Sequence, residues 1–300
     1  YLDEKQQKEI EFGRPIERGN QRQMMDEALA IARKSDVVVA CLGEMAEMSG
    51  ECASRSNLEL PDAQMMLLKE LVKTGKPIVL LNFSGRATVL KWESENVNAI
   101  MNVWFAGSET GDAVCDVLFG DKVPTGKTVN SFPQNVGQLP LYYNHMNTGR
   151  PVPEGTDRFF KYQSNYLDVR NDPLYPFGYG LSYTTYEYGD LTLSSSSMKA
   201  DGKVEASITV KNTGLRDGDE IVQLYIRDIS ASIARPVKEL KGFQRIHLKS
   251  GESKTVKFDI TRSQLEFYGS DLKPVVEPGD FTIMVGPNSR DLKTVKLTVE

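Results

Sequence analysis

At 300 residues and 33.5 kDa the chain is about twice the length of a typical domain, so its size permits two domains or one large sandwich or barrel. Apolar residues make up 40% and charged residues 26%, with 24 Gly and 14 Pro, which excludes a collagen-like repeat and a disordered chain. The 41 acids and 36 bases give a net charge of -5 spread along the whole length, so there is no basic footprint for nucleic acid or anionic lipid, and a neutral or small-molecule ligand fits better.

No apolar run approaches the roughly 20 residues that span a bilayer; the longest, Val37 to Leu42 and Ile78 to Phe83, have the length of buried strands, and a soluble protein is expected. The three cysteines, Cys41, Cys52 and Cys115, are odd in number and lack metal-ligand spacing, so neither a disulfide framework nor a metal is expected. The chain opens at Tyr1 with no initiator Met and no signal-like segment, which points to a natural N-terminus elsewhere.

In chain order, Met25, Ala28, Leu29, Ile31 and Ala32 recur at helical spacing over Arg22 to Lys34, and Asp36 to Gly43 follows as a buried strand. A helix opening at Pro61 and stopped by Gly75, a strand Pro77 to Phe83, a helix near Ala87 to Ser94, a strand Ala99 to Phe105 and a helix Ser108 to Phe119 continue the alternation. Such alternation predicts a parallel sheet covered on both faces. Six prolines between Pro133 and Pro176 then exclude a continuous helix or central strand, and the aromatics among them, Tyr142 to Tyr179, predict an ordered connector packed onto a domain. From about Leu191 apolar residues alternate with period two, as in Val204, Ala206, Ile208 and Val210, with turn chemistry at Asp201-Gly202, Asn212-Thr213-Gly214, Ser250-Gly251 and Pro278-Gly279. These are the marks of an immunoglobulin-like or fibronectin-like sandwich. The fold class is therefore α/β plus all-β, with a boundary expected between 1–185 (connector 133–185 included) and 186–300.

Ligands of an open parallel sheet bind beyond the carboxyl ends of its strands, which directs attention to the loops after Gly43, Phe83 and Phe105. The first, Glu44 to Pro61, carries four carboxylates and Arg55; Glu51, with Arg55 nearby, is a candidate general acid/base, set against a plain solvated acidic loop. The second holds Ser84 and Arg86, which read either as binders of a hydroxylated or anionic ligand or as strand-end turn residues. The third spaces Gly107 and Gly111 with Glu109 between them and matches no phosphate-binding pattern. Only two histidines exist, His145 in the connector and His247 in a strand, and G-x-S-x-G is absent, so a serine-hydrolase triad has little footing.

The segments Gly43-Glu44, Ser49-Gly-Glu-Cys-Ala-Ser-Arg-Ser-Asn-Leu-Glu-Leu-Pro61, Trp104-Phe-Ala-Gly-Ser-Glu-Thr-Gly111, Tyr175-Pro-Phe-Gly-Tyr-Gly-Leu-Ser-Tyr-Thr184 and Arg235-Pro-Val-Lys-Glu-Leu-Lys-Gly-Phe243 closely resemble the C-terminal half of glycoside hydrolase family 3, in particular periplasmic β-glucosidases. The resemblance implies an α/β sandwich followed by a fibronectin type III-like domain, with an N-terminal (β/α)8 barrel missing and the nucleophilic Asp on that barrel. It implies a retaining exo-acting β-glucosidase in which Glu51 supplies the general acid/base, Glu44 is the fallback and Glu47 a weaker one. Arg55 and Ser54 support the site, Ser54 standing where the family commonly has Asp. It further implies a β-glucoside or oligosaccharide substrate, the barrel as intramolecular partner, no cofactor, no metal and a periplasmic or secreted location; a homodimer is left open. The 300 residues alone are expected to be inactive. A carbohydrate-binding or scaffolding module, or the same enzyme type acting on β-xylosides, is the alternative.

Overall fold

The computed structural model describes residues 21–300, and its contacts divide the chain into two compact units. The first comprises residues up to 114 together with 132–139, and the second 115–131 together with 140–300. The first 20 residues of the expected 1–185 domain lie outside the described residues.

In the first unit α1 (Gln21–Lys34), β1 (Val38–Gly43), α2 (Asp62–Val72), β2 (Ile78–Phe83), α3 (Lys91–Asn96) and β3 (Ala99–Asn102) alternate as the periodicity predicts, and α4 (Thr110–Leu118) begins in this unit and ends in the second. The strands pair in parallel in the order β1-β2-β3, with Val38 opposite Ile78 and Val79 opposite Ala99. Leu29, Ala32, Leu68, Leu71, Ile78 and Leu80 form the core, because α1 and α2 present their apolar stripes to one face of the sheet. The expectation of cover on both faces holds for β2 but not for β1, whose Val39 and Cys41 are exposed. The third helix starts at Lys91 and not near Ala87, because the Val89 N–H bonds the Leu58 carbonyl at 2.9 Å and Thr88 to Leu90 are buried as chain.

In the second unit the long strands β7 (Lys203–Asn212), β8 (Gly218–Asp228), β9 (Glu239–Leu248), β10 (Ser253–Thr261), β13 (Gly279–Gly286) and β14 (Lys293–Val299) form two antiparallel layers. One layer runs β10-β7-β4, with β4 at Tyr186–Tyr188 and β5 (Thr192–Leu193) also pairing β7; the other runs β6-β14-β13-β8-β9, with β6 at Ser197–Met198. Between them lies one apolar cluster, including Val204, Ile208, Val222, Leu224, Ile260, Ile283 and Leu297, each an inward position of the alternation. A short helix α5 (Arg262–Leu265) and the ribbon β11 (Phe267–Tyr268) with β12 (Pro274–Val275) close one end. The connector is ordered: Tyr143 stacks on Phe177 at 4.3 Å and meets Tyr225 edge-on, and Lys238 donates to Glu154 and to the Ser289 carbonyl, both at 2.8 Å.

Candidate active site

The loop after β1 begins abruptly. Gln64 of α2 accepts from the Gly43 N–H at 2.7 Å and donates to the Gly43 carbonyl at 3.0 Å, while the Glu44 N–H bonds the Phe83 carbonyl. Gly43 has φ 143, and a Cβ there would strike the Phe83 carbonyl, so the strand can end in this way only with glycine. The next residue, Glu44, therefore points inward at the carboxyl edge of the sheet and is 5% exposed.

Glu44 is fully engaged. Arg55 Nη1 donates to its Oε1 at 2.8 Å, Arg86 Nε lies 3.1 Å from Oε1 and 3.3 Å from Oε2, and the Gly85 N–H reaches Oε2 at 3.2 Å. The buried carboxylate is thus compensated by two guanidinium groups, as burial of a charge requires. Arg55, expected beside Glu51, pairs with Glu44 and with the Glu59 carbonyl instead. Arg86, readable from sequence only as a ligand-binding or turn residue, also donates to the Met48 carbonyl at 2.6 Å and the Ala53 carbonyl at 3.4 Å.

Between those two carbonyls the chain turns. The Ala53 N–H bonds the Gly50 carbonyl at 3.2 Å, closing a four-residue turn with Glu51 and Cys52 at its centre. Cys52 has φ 60, the left-handed conformation demanded at the third position of a type II turn and rare for a residue with a Cβ. Glu51 is exposed, and no hydrogen bond or ion pair ties its carboxyl among the described residues. Ser54 and Glu47 are exposed as well.

The other two strand ends pack under this turn. Ser49 lies against Gly85, where a Cβ would come within 1.9 Å of Ser49 Oγ and 3.1 Å of the Phe105 ring. Trp104, with φ 61, turns the chain after β3 and packs on Phe132 at 5.9 Å. Beneath them Asn82 Nδ2 faces Ser84, Thr88 and Asn102, a buried polar layer spanning β2 and β3. The two histidines belong to the second unit: His145 lies 2.9 Å from the Met146 carbonyl, and His247 forms an exposed pair with Asp219 at 2.6 Å.

A short parallel sheet with a carboxylate-bearing turn at its carboxyl edge, followed along the chain by a fibronectin-like sandwich, defines an α/β plus all-β chain. The profile of the Glycosyl hydrolase family 3 C-terminal domain matches residues 4–183, and that of the Fibronectin type III-like domain matches 220–289. The chain belongs to the glycosyl hydrolase family 3 C-terminal domain family.

It is 50% identical to the periplasmic β-glucosidase of Salmonella typhimurium over 90% of this chain and 35% of that protein, and 45% identical to a β-xylosidase of Formosa agariphila over 91% and 37%. Among solved structures it is similar to the β-glucosidase of Listeria innocua in complex with gluconolactone, with TM-score 0.88, 39% identity, and coverage of 94% of this chain and 39% of that one. The chain thus spans somewhat more than a third of the length of these relatives.

Proposed function

We propose that the chain provides the general acid/base of a retaining exo-acting β-glucosidase, with Glu51 in that role and the nucleophilic carboxylate on sequence outside these 300 residues. The observation that carries this reading is the contrast between two glutamates of one loop. Glu44 has both oxygens committed to Arg55, Arg86 and the Gly85 amide, whereas the Glu51 carboxyl has no hydrogen-bond or ion-pair partner among the described residues and stands on a fixed turn at the sheet's carboxyl edge.

Retention needs two carboxyl groups about 5 to 5.5 Å apart across the glycosidic bond. In the first step the Glu51 carboxyl protonates the leaving oxygen while the nucleophile takes the anomeric carbon through an oxocarbenium-like transition state. In the second the Glu51 carboxylate removes a proton from the water that releases the sugar. The 300 residues alone then hydrolyse nothing. The names of the relatives support a β-glucoside substrate, and the name β-xylosidase on one of them supports β-xylosides as the second reading, with the same residue in the same role. The periplasmic designation of one relative supports a location outside the cytoplasm.

The test is Glu51→Ala in a full-length protein carrying these residues, assayed on cellobiose and on an aryl glucoside whose leaving group needs no proton. A loss of about 10²- to 10⁴-fold concentrated on cellobiose, with azide restoring turnover of the aryl glucoside, is expected. Small and equal losses on both would overturn the assignment.

A further inference from the structure

We propose that Arg86 is a positioning residue for the acid/base, a half-buried clamp that sets where the Glu51 carboxyl stands; the proposal rests on the reading of Glu51 given above. One guanidinium holds the catalytic turn from both sides. Its Nη2 donates to the carbonyl of Met48, three residues before Glu51, and to that of Ala53, two residues after it, while its Nε meets Glu44. The clamp is anchored from the other direction as well, because Arg55, four residues after Glu51, pairs with the same Glu44.

The chemistry of the group explains why arginine stands here. A planar guanidinium offers five donors in a fixed fork, so it can hold two diverging carbonyls and a carboxylate at once. Lysine has a single nitrogen on a flexible stem, and its ammonium cannot span the Met48 and Ala53 carbonyls while keeping Glu44. The fork is itself held by the turn after β2: Ser84 Oγ donates to the Arg86 carbonyl at 2.9 Å, and Gly85 fits against Ser49 with no room for a side chain. The Gly50–Ala53 turn therefore rides on a rigid strand end and not on a free loop. A general acid misplaced by about 1 Å loses on the order of 10²-fold in rate, so such a clamp has a kinetic consequence even though Arg86 touches no reacting atom.

The discriminating readout is leaving-group dependence. In the full-length protein, Arg86→Lys is expected to lower kcat on cellobiose about 10- to 100-fold while KM stays within about twofold and the activated aryl glucoside loses less than about threefold. Combined with Glu51→Ala, Arg86→Lys should add little further loss, because it acts through a carboxyl no longer present. Gly85→Ala, which presses on Ser49 from beneath the same turn, is the second variant and should give the same leaving-group pattern.

If Glu51→Ala shows that dependence and neither Arg86→Lys nor Gly85→Ala does, or if their losses are equal on both substrates and additive with Glu51→Ala, the clamp is overturned while the role of Glu51 stands. If Glu51→Ala itself lacks the dependence, both fall.

Discussion

The two units bury their chains in opposite ways. The sandwich encloses a continuous apolar cluster built from the inward residues of β7, β8, β10, β13 and β14, and its stability follows from area removed from water. The carboxyl edge of the parallel sheet instead buries Glu44, Asn82, Ser84 and Thr88, whose hydrogen bonds hold loops in place. Buried polar groups add little net stability, yet they fix geometry, which a catalytic turn needs and a packing domain does not. Substitutions at the exceptions to this contrast sharpen it.

The largest effect is expected in the second unit, where a buried carboxylate interrupts the apolar rule. Glu220 of β8, 3% exposed, faces Lys127 at 3.2 Å and accepts from the Tyr188 hydroxyl at 3.0 Å, and Lys127 also donates to the Gly180 carbonyl. Burial pushes the Glu220 carboxyl above its ordinary range even with Lys127 beside it, so the ammonium is its main compensation. Lys127→Met leaves that charge uncompensated and should cost about 3 to 5 kcal/mol in urea unfolding, whereas the double variant with Glu220→Gln should recover a large part of the loss. A loss under about 1 kcal/mol would mean that the pair is ornamental and the sandwich is held by apolar area alone.

The next effect belongs to the first unit. Glu93 on α3 is 1% exposed and its Oε1 has no hydrogen-bond partner among the described residues; burial, with Glu59 contributing, pushes its carboxyl up from the ordinary 4.5 to about 7. An acid raised on folding contributes stability that is fully present below 4.5 and is lost as pH climbs to about 7. Unfolding of the parent should therefore become easier by about 3 kcal/mol between pH 4.5 and pH 8 relative to Glu93→Gln, which has no proton to lose. Chemical denaturation of the two proteins at both pH values measures the difference; parallel stability curves would show that Glu93 is solvated in solution and that this unit tolerates its buried acid at no cost.

The same contrast explains what could be read without coordinates. The strands of the sandwich were legible because each inward position of the period-two pattern, Val204 to Val210 or Phe281 to Val285, is an apolar residue buried by the opposite layer. The helix–strand alternation was legible for the same reason, except where Thr88 to Leu90 leave the helix to bury themselves and bond Asn82 and Leu58. At the site the sequence singled out the Glu44 to Pro61 loop, but Arg55 reaches back to Glu44, and Arg86 reaches Glu44 and Met48 across 42 and 38 positions. No periodicity carries a contact of that kind, since it exists only once β1 and β2 lie side by side. The loop's own residues made Glu51 a candidate and the family resemblance ranked it above Glu44, while the geometry that distinguishes the two is not legible in sequence.

The smallest effect tests whether strain is stored at the turn. The sandwich uses glycine where its hairpin after β9 needs a left-handed residue, Gly251 at φ 78. The first unit places Cys52 at φ 60 beside Glu51 and Trp104 at φ 61 at the end of β3, both at the edge where the site lies, and a side chain in that region costs of order 1 kcal/mol. Cys52→Gly removes the Cβ penalty but gives the unfolded chain more freedom, so the net gain should be about 0.5 kcal/mol, a rise of about 1 to 2 °C in Tm. Cys52→Val, branched at the strained position, should lower Tm by more than that. If the glycine variant is the less stable of the two, the turn is not strained by its side chain, and rigidity at the carboxyl edge comes from the Arg86 and Glu44 contacts alone.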